Sequence, residues 1–82
     1  MLKVKIEVTL KKSVLDPQGA TVEKSLATLG YDNVGDVRVG KYLEFILRES
    51  DKEQGEKQVK EMCQKLLVNP VIEDYTFELV EV

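Results

Sequence analysis

Val37, Val39, Leu43, Phe45 and Leu47 all fall on odd positions of one short run, and the Gly40-Lys41 pair between them interrupts without changing their phase. Side chains in a strand alternate between faces, so this spacing places all five on one side of an extended segment. A two-residue hairpin at Gly40-Lys41 would pair Val39 with Tyr42, turn Tyr42, Glu44 and Ile46 inward, and send Leu43, Phe45 and Leu47 to water. A single bulge there shifts the phase in the same way. The spacing therefore predicts one long strand bent at Gly40, or two collinear strands. At about 3.3 Å per residue, Asp36 to Arg48 covers about 40 Å, whereas a compact chain of this length has a diameter of about 30 Å. The strand is expected to overhang its own domain and expose Leu43, Phe45 and Leu47, a liability that a second copy would cover. These three residues are the candidate dimer interface.

The flanking segments build a small domain around that strand. Leu2, Val4, Ile6, Val8 and Leu10 alternate with Lys3, Lys5, Glu7 and Thr9, the pattern of a strand with one buried face. Asp16 suits a helix N-cap, Pro17 its first helical position, and Val22, Leu26 and Leu29 share one side of the helix that follows. Gly30 ends it as a left-handed residue, which lets Tyr31 touch Leu26. A second helix is expected from Asp51 to Leu67, with Val59, Met62, Cys63, Leu66 and Leu67 as its apolar stripe. On its wetter side Glu53/Lys57, Glu56/Lys60 and Glu61/Lys65 stand in the favourable acid-before-base order. Asn69-Pro70 stops this helix, and Tyr75, Phe77 and Leu79 then alternate with Thr76 and Glu78 in a last strand. The order β-α-β-α-β predicts a single domain over residues 1–82. Its class is α+β, a two-layer sandwich with a long bent central strand, a mostly antiparallel sheet and two helices on one face, completed by dimerisation.

Composition narrows the chemistry. A chain of 82 residues buries a modest core, which favours association. With one cysteine and no histidine it can form neither an internal disulfide nor a zinc cluster. The net charge of −3, from 12 basic and 15 acidic residues, argues against a nucleic-acid partner held through phosphates. The first residues alternate charge with aliphatics, and no run approaches the roughly 20 apolar residues that cross a bilayer. A cytoplasmic protein with no membrane partner is expected.

Candidate catalytic groups do not assemble on paper. Cys63, Ser13, Ser25 and Ser50 have no histidine to activate them, and Cys63 falls on the buried stripe, where a thiol is an inert small hydrophobe. Glu73 and Asp74 point to opposite faces of a strand, while Glu49, Asp51 and Glu53 flank a helix N-terminus where acidic residues are expected. Neither Pro17-Gln18-Gly19 nor Gly35 and Gly40-Lys41 matches a phosphate-binding loop. The expectation is no catalytic, cofactor-binding or metal residue in this chain. Arg38 and Lys41 either reach water or are presented by the bend at Gly40 to another protein.

Three blocks carry a family likeness. Val14-Leu15-Asp16-Pro17-Gln18-Gly19 comes first, followed by Leu29-Gly30-Tyr31 leading through Val37-Arg38 and Gly40-Lys41 to Leu43-Glu44, and then by residues 66–75, Leu-Leu-Val-Asn-Pro-Val-Ile-Glu-Asp-Tyr. In this order and length the chain resembles the PurS family, the small subunit of bacterial phosphoribosylformylglycinamidine (FGAM) synthase. The resemblance implies a non-catalytic subunit that forms a homodimer or higher homo-oligomer and joins a synthetase subunit (PurL), which uses ATP and magnesium, and a glutaminase subunit (PurQ). It implies a part in de novo purine synthesis, bridging those subunits and supporting ammonia transfer between them. Asp16, Pro17, Gln18 and Gly19, Arg38, Gly40 and Lys41, and Asn69 and Pro70 are the subunit-contact candidates on that likeness. A small-metabolite-sensing α+β regulatory module is the alternative. An RNA-binding sheet would need several exposed aromatics, and only Tyr42 lies on the polar face of the long strand.

Overall fold

The computed structural model covers residues 1–82. Three strands, β1 (Leu2–Leu10), β2 (Gly40–Leu47) and β3 (Glu73–Glu81), form one antiparallel sheet in the order β2-β1-β3. Helix α1 (Pro17–Thr28) links β1 to β2, and α2 (Lys52–Met62) runs into a π turn at Cys63–Leu67 before β3. Because β1 is central, its even side chains are flanked on both sides. Ile6 sits between Leu43 and Phe77, and Val4 between Phe45 and Leu79. Leu2, Val4 and Ile6 are wholly excluded from water, each worth about 1.5–3 kcal/mol of burial.

Helix α2 closes this face. Asp51 caps it, accepting from the Glu53 N–H at 3.0 Å, and Val59 and Cys63 join β1 in a core of eight buried residues. The approach is close because Gly55 has no side chain: a Cβ there would lie 2.5 Å from the Leu2 Cδ1. Burial pushes the Cys63 thiol above its ordinary pKa, as the expected inert core cysteine requires. Of the three charge pairs expected on α2, Glu61–Lys65 closes, at 3.8 Å and well exposed.

The stripe of α2 ends differently from the expectation. The Val68 N–H donates to the Cys63 carbonyl five residues back at 3.0 Å, widening the last turn. That extra residue rotates Leu66 out to 83% exposure and turns Val68 into the core, so Leu66 leaves the buried stripe that ordinary helical spacing assigned to it.

The phase of β2 is as the spacing requires: Lys41, Leu43, Phe45 and Leu47 stand opposite Val8, Ile6, Val4 and Leu2, with no hairpin at Gly40-Lys41. Its length is not. Pairing begins at Gly40, after a lead-in that Asp36 turns with a φ of 56°, so the expected strand from Asp36 to Arg48 contracts to eight residues. Leu43, Phe45 and Leu47 consequently do not overhang; each is half-buried against the chain's own core.

The molecule is nevertheless long, 49 × 27 × 14 Å with a radius of gyration of 16.2 Å, against about 12 Å for a compact chain of this size. The elongation comes from α1. Gly19 is its one buried residue, and the layer over the sheet is supplied by α2, not by both helices. Helix α1 starts beside the Leu10/Gly40 end of the sheet, and Val22 and Leu29 on its apolar side are 42% and 73% exposed. It ends as expected. Gly30 takes a φ of 101°, its N–H donates to Ala27, and the Tyr31 N–H donates to Leu26.

Candidate subunit-contact site

The candidate residues from the first and middle blocks meet where α1 joins the sheet. The two oxygens of Asp16 do different jobs. Oδ1 accepts from the Gly19 N–H at 2.9 Å and caps α1, while Oδ2 accepts from the Val39 N–H at 2.9 Å, just before β2. These bonds, to Gly19 and then to Val39, hold the carboxyl below its ordinary pKa, and the nearby Arg38 charge adds to them. Asp16 is 7% exposed. Pro17 supplies the first helical position, with no N–H to leave unpaired.

Gly19 permits the junction to close: a Cβ there would lie 2.2 Å from the Val37 carbonyl oxygen. Gly40 is pressed similarly against the Val8 carbonyl. Arg38 reaches back with Nη2 to the carbonyls of Leu10 and Lys11, the latter at 2.8 Å. It is thus tied within the chain, neither free in water nor paired with a carboxylate.

Asp16, Pro17, Gln18, Gly40 and Lys41 line one cavity of about 370 Å³, with Glu73 on its far side. Lys41, the one charge on the apolar face of β2, stands 4.0 Å from Glu73, and at 53% exposure this pair contributes little. The same Glu73 oxygen accepts from the Asn69 N–H at 2.8 Å. The Asn69 side chain accepts from the Val71 N–H at 3.1 Å and its carbonyl receives Ile72 and Glu73. Asn69-Pro70 is therefore a turn that reaches the cavity only through Glu73. Leu43, Phe45 and Leu47 lie on the core face of the sheet, outside the cavity lining.

Two features escaped the sequence reading. Glu23, on α1, accepts from the Val37 N–H at 3.3 Å, a contact 14 residues away with no local pattern to announce it. On the opposite face of the sheet, Lys3 pairs with Glu44 at 2.9 Å and the Tyr42 hydroxyl donates to Glu44 at 2.9 Å. Lys3 and then Tyr42 hold the Glu44 carboxyl below its ordinary pKa, while partial desolvation and Glu44 push Tyr42 up. No group of three or more His, Cys, Asp or Glu side chains is placed to hold a metal ion, and no helix is long and apolar enough to cross a membrane.

A small α+β unit whose singled-out residues are caps, turns and ties, and whose first helix carries an uncovered apolar side, has the build of an assembly subunit. The chain belongs to the PurS family: the family model described as Phosphoribosylformylglycinamidine (FGAM) synthase matches residues 3–81. It is 54% identical over 82 residues to the phosphoribosylformylglycinamidine synthase subunit PurS of Bacillus subtilis (strain 168), covering 100% of this chain and 96% of that protein. The fold agrees with a B. subtilis PurS structure at a TM-score of 0.87 and 53% identity, over 99% of this chain and 100% of that one. PurS of Methanocaldococcus jannaschii, one of the subunits of formylglycinamide ribonucleotide amidotransferase in the purine biosynthetic pathway, matches at a TM-score of 0.88 and 40% identity, over 100% and 99% of the two chains. A chain in the structure of PurLQS from Thermotoga maritima matches at 0.87 and 34% identity, over 96% of each. These relatives favour a synthase subunit over a metabolite sensor.

Proposed function

We propose that this chain is the small, non-catalytic subunit of an FGAM synthase, that it bridges a synthetase subunit of the PurL type and a glutaminase subunit of the PurQ type, and that it supports ammonia transfer between them. ATP and magnesium belong to the synthetase subunit on this reading, and the complex works in the cytoplasm. The observation that carries the proposal is the apolar side of α1: Val22 and Leu29 lie open to water, with Leu15 and Tyr31 nearby at 80% and 58% exposure. A helix in this state spends its amphipathic pattern on something outside its own chain. A second copy is the first occupant, giving a homodimer, and the dimer then meets the two larger subunits. The PurLQS structure of T. maritima, which contains a chain of this fold, supports the second contact.

Reconstitution tests the whole. Glutamine-dependent formation of the amidine by the synthetase and glutaminase subunits should require this protein, and full turnover in its absence would overturn the proposal. Sedimentation of the isolated chain tests the dimer: a monomer at all concentrations would remove that part while leaving the bridging role to be judged by reconstitution.

A further inference from the structure

We propose that Asp16, Glu23 and Arg38 form a polar clasp that fixes the angle of α1 on the sheet, and so sets the orientation in which the open apolar side of α1 is presented. Hydrophobic packing does little to set that angle, since Gly19 is the one buried residue of α1 and, of its apolar stripe, Leu26 alone is half-buried. Three polar ties remain, all at one end of the sheet. Asp16 Oδ2 holds the Val39 N–H, Glu23 holds the Val37 N–H, and Arg38 holds the carbonyls of Leu10 and Lys11. Two of them anchor the lead-in to β2 onto α1, and the third anchors the same lead-in onto the end of β1. The segment 37–39 is therefore gripped from both sides, and the contact of Gly19 with the Val37 carbonyl fixes the distance. Such bonds are directional, so they fix an angle that a few exposed apolar contacts would leave loose.

On this reading Asp16, Glu23 and Arg38 are positioning residues that need touch no partner. Arg38 and Asp16, subunit-contact candidates on the family likeness, would serve the interface through the angle they impose. The part of the inference that concerns presentation rests on the homodimer proposed above; the clasp itself does not.

Asp16 allows the clasp to be separated from helix capping. Asparagine caps helices as well as aspartate does, but its side chain has a single acceptor oxygen. Asp16→Asn should keep the Gly19 bond and lose the Val39 bond, placing an NH₂ group against an N–H. Arg38→Gln cuts the opposite grip. Residual dipolar couplings measured by NMR on the full-length chain read the result. In both variants the couplings of α1 should cease to fit the same rigid orientation as those of β1, while the couplings within β1 stay mutually consistent, and exchange at Val37 and Val39 should speed by about tenfold or more. Self-association measured by sedimentation should weaken by a similar factor. Couplings of α1 and β1 that still fit one rigid body in both variants would show a merely stabilising role and overturn the clasp. A changed α1 orientation with unchanged association would overturn the presentation role. Should the wild-type chain prove monomeric, the dimer reading fails and the coupling comparison still decides the clasp.

Discussion

The two ends of this molecule are held by different physics. At one end, α2 and the π turn lie on the sheet, and Leu2, Val4, Val59, Cys63, Val68 and Leu79 shelter one another from water. At the other, two carboxylates join α1 to the lead-in of β2, a guanidinium ties that lead-in to the end of β1, and Val22 and Leu29 on the apolar side of α1 are left open. The first end stabilises itself; the second spends its apolar surface on association. In a chain of 82 residues there is not enough apolar surface to do both twice.

The largest effect should come from the first end. Ile6→Ala removes a fully buried side chain between Leu43 and Phe77, and should cost about 2–5 kcal/mol in chemical denaturation. With stabilities of about 0.05–0.15 kcal/mol per residue, that is a large share of the whole. A loss below about 1 kcal/mol would mean that the core is not continuous across β1. At the second end the cost should be smaller and of another kind. Arg38→Ala leaves the Leu10 and Lys11 carbonyls without their charged donor, for an expected loss of about 1–3 kcal/mol. A loss equal to that of Ile6→Ala would erase the distinction between the two ends.

Acid should loosen the second end first. The folded pKa of Asp16 lies below its unfolded value, so its contribution is fully present above about pH 4 and is lost as the pH falls through the folded value. Glu44, lowered by Lys3 and then by Tyr42, titrates on the sheet in the same direction. The signal to follow is therefore local: the Gly19 and Val39 amides should lose protection before those of Val4 and Ile6. Simultaneous loss at all four would contradict the comparison.

What could be read from sequence follows the same division. The phase of β2 was legible because alternation alone fixes which side chains share the face of Ile6 and Val4. Capping by Asp16 and the stop at Gly30 were legible because both are local. The start of β2 was not, since it depends on Asp36 adopting a positive φ with no glycine to signal it. Nor was the fate of Arg38, whose acceptors lie 27 and 28 residues away. Helical spacing in α1 correctly grouped Val22 with Leu29, yet amphipathic spacing states that a side is apolar, not what covers it. Asp16, Pro17, Gln18, Gly40 and Lys41 do gather around one cavity, whereas Pro70 belongs to a turn that meets it only through its neighbours.

The smallest expected effect falls in the better-packed half, where ordinary spacing assigns Leu66 to the core alongside Val59, Met62 and Cys63. The five-residue bond from Val68 to Cys63 instead rotates Leu66 out and brings Val68 in, with exposures of 83% and 5%. Leu66→Ser should therefore change stability by no more than about 0.5 kcal/mol, as at other exposed positions. Val68→Ala should cost several times as much, because it opens a space beside Cys63 and Val59. The pair reads the π turn directly in urea denaturation. If Leu66→Ser were the costlier change, the helix would be closing with ordinary four-residue spacing in solution, and Leu66 would return to the buried stripe.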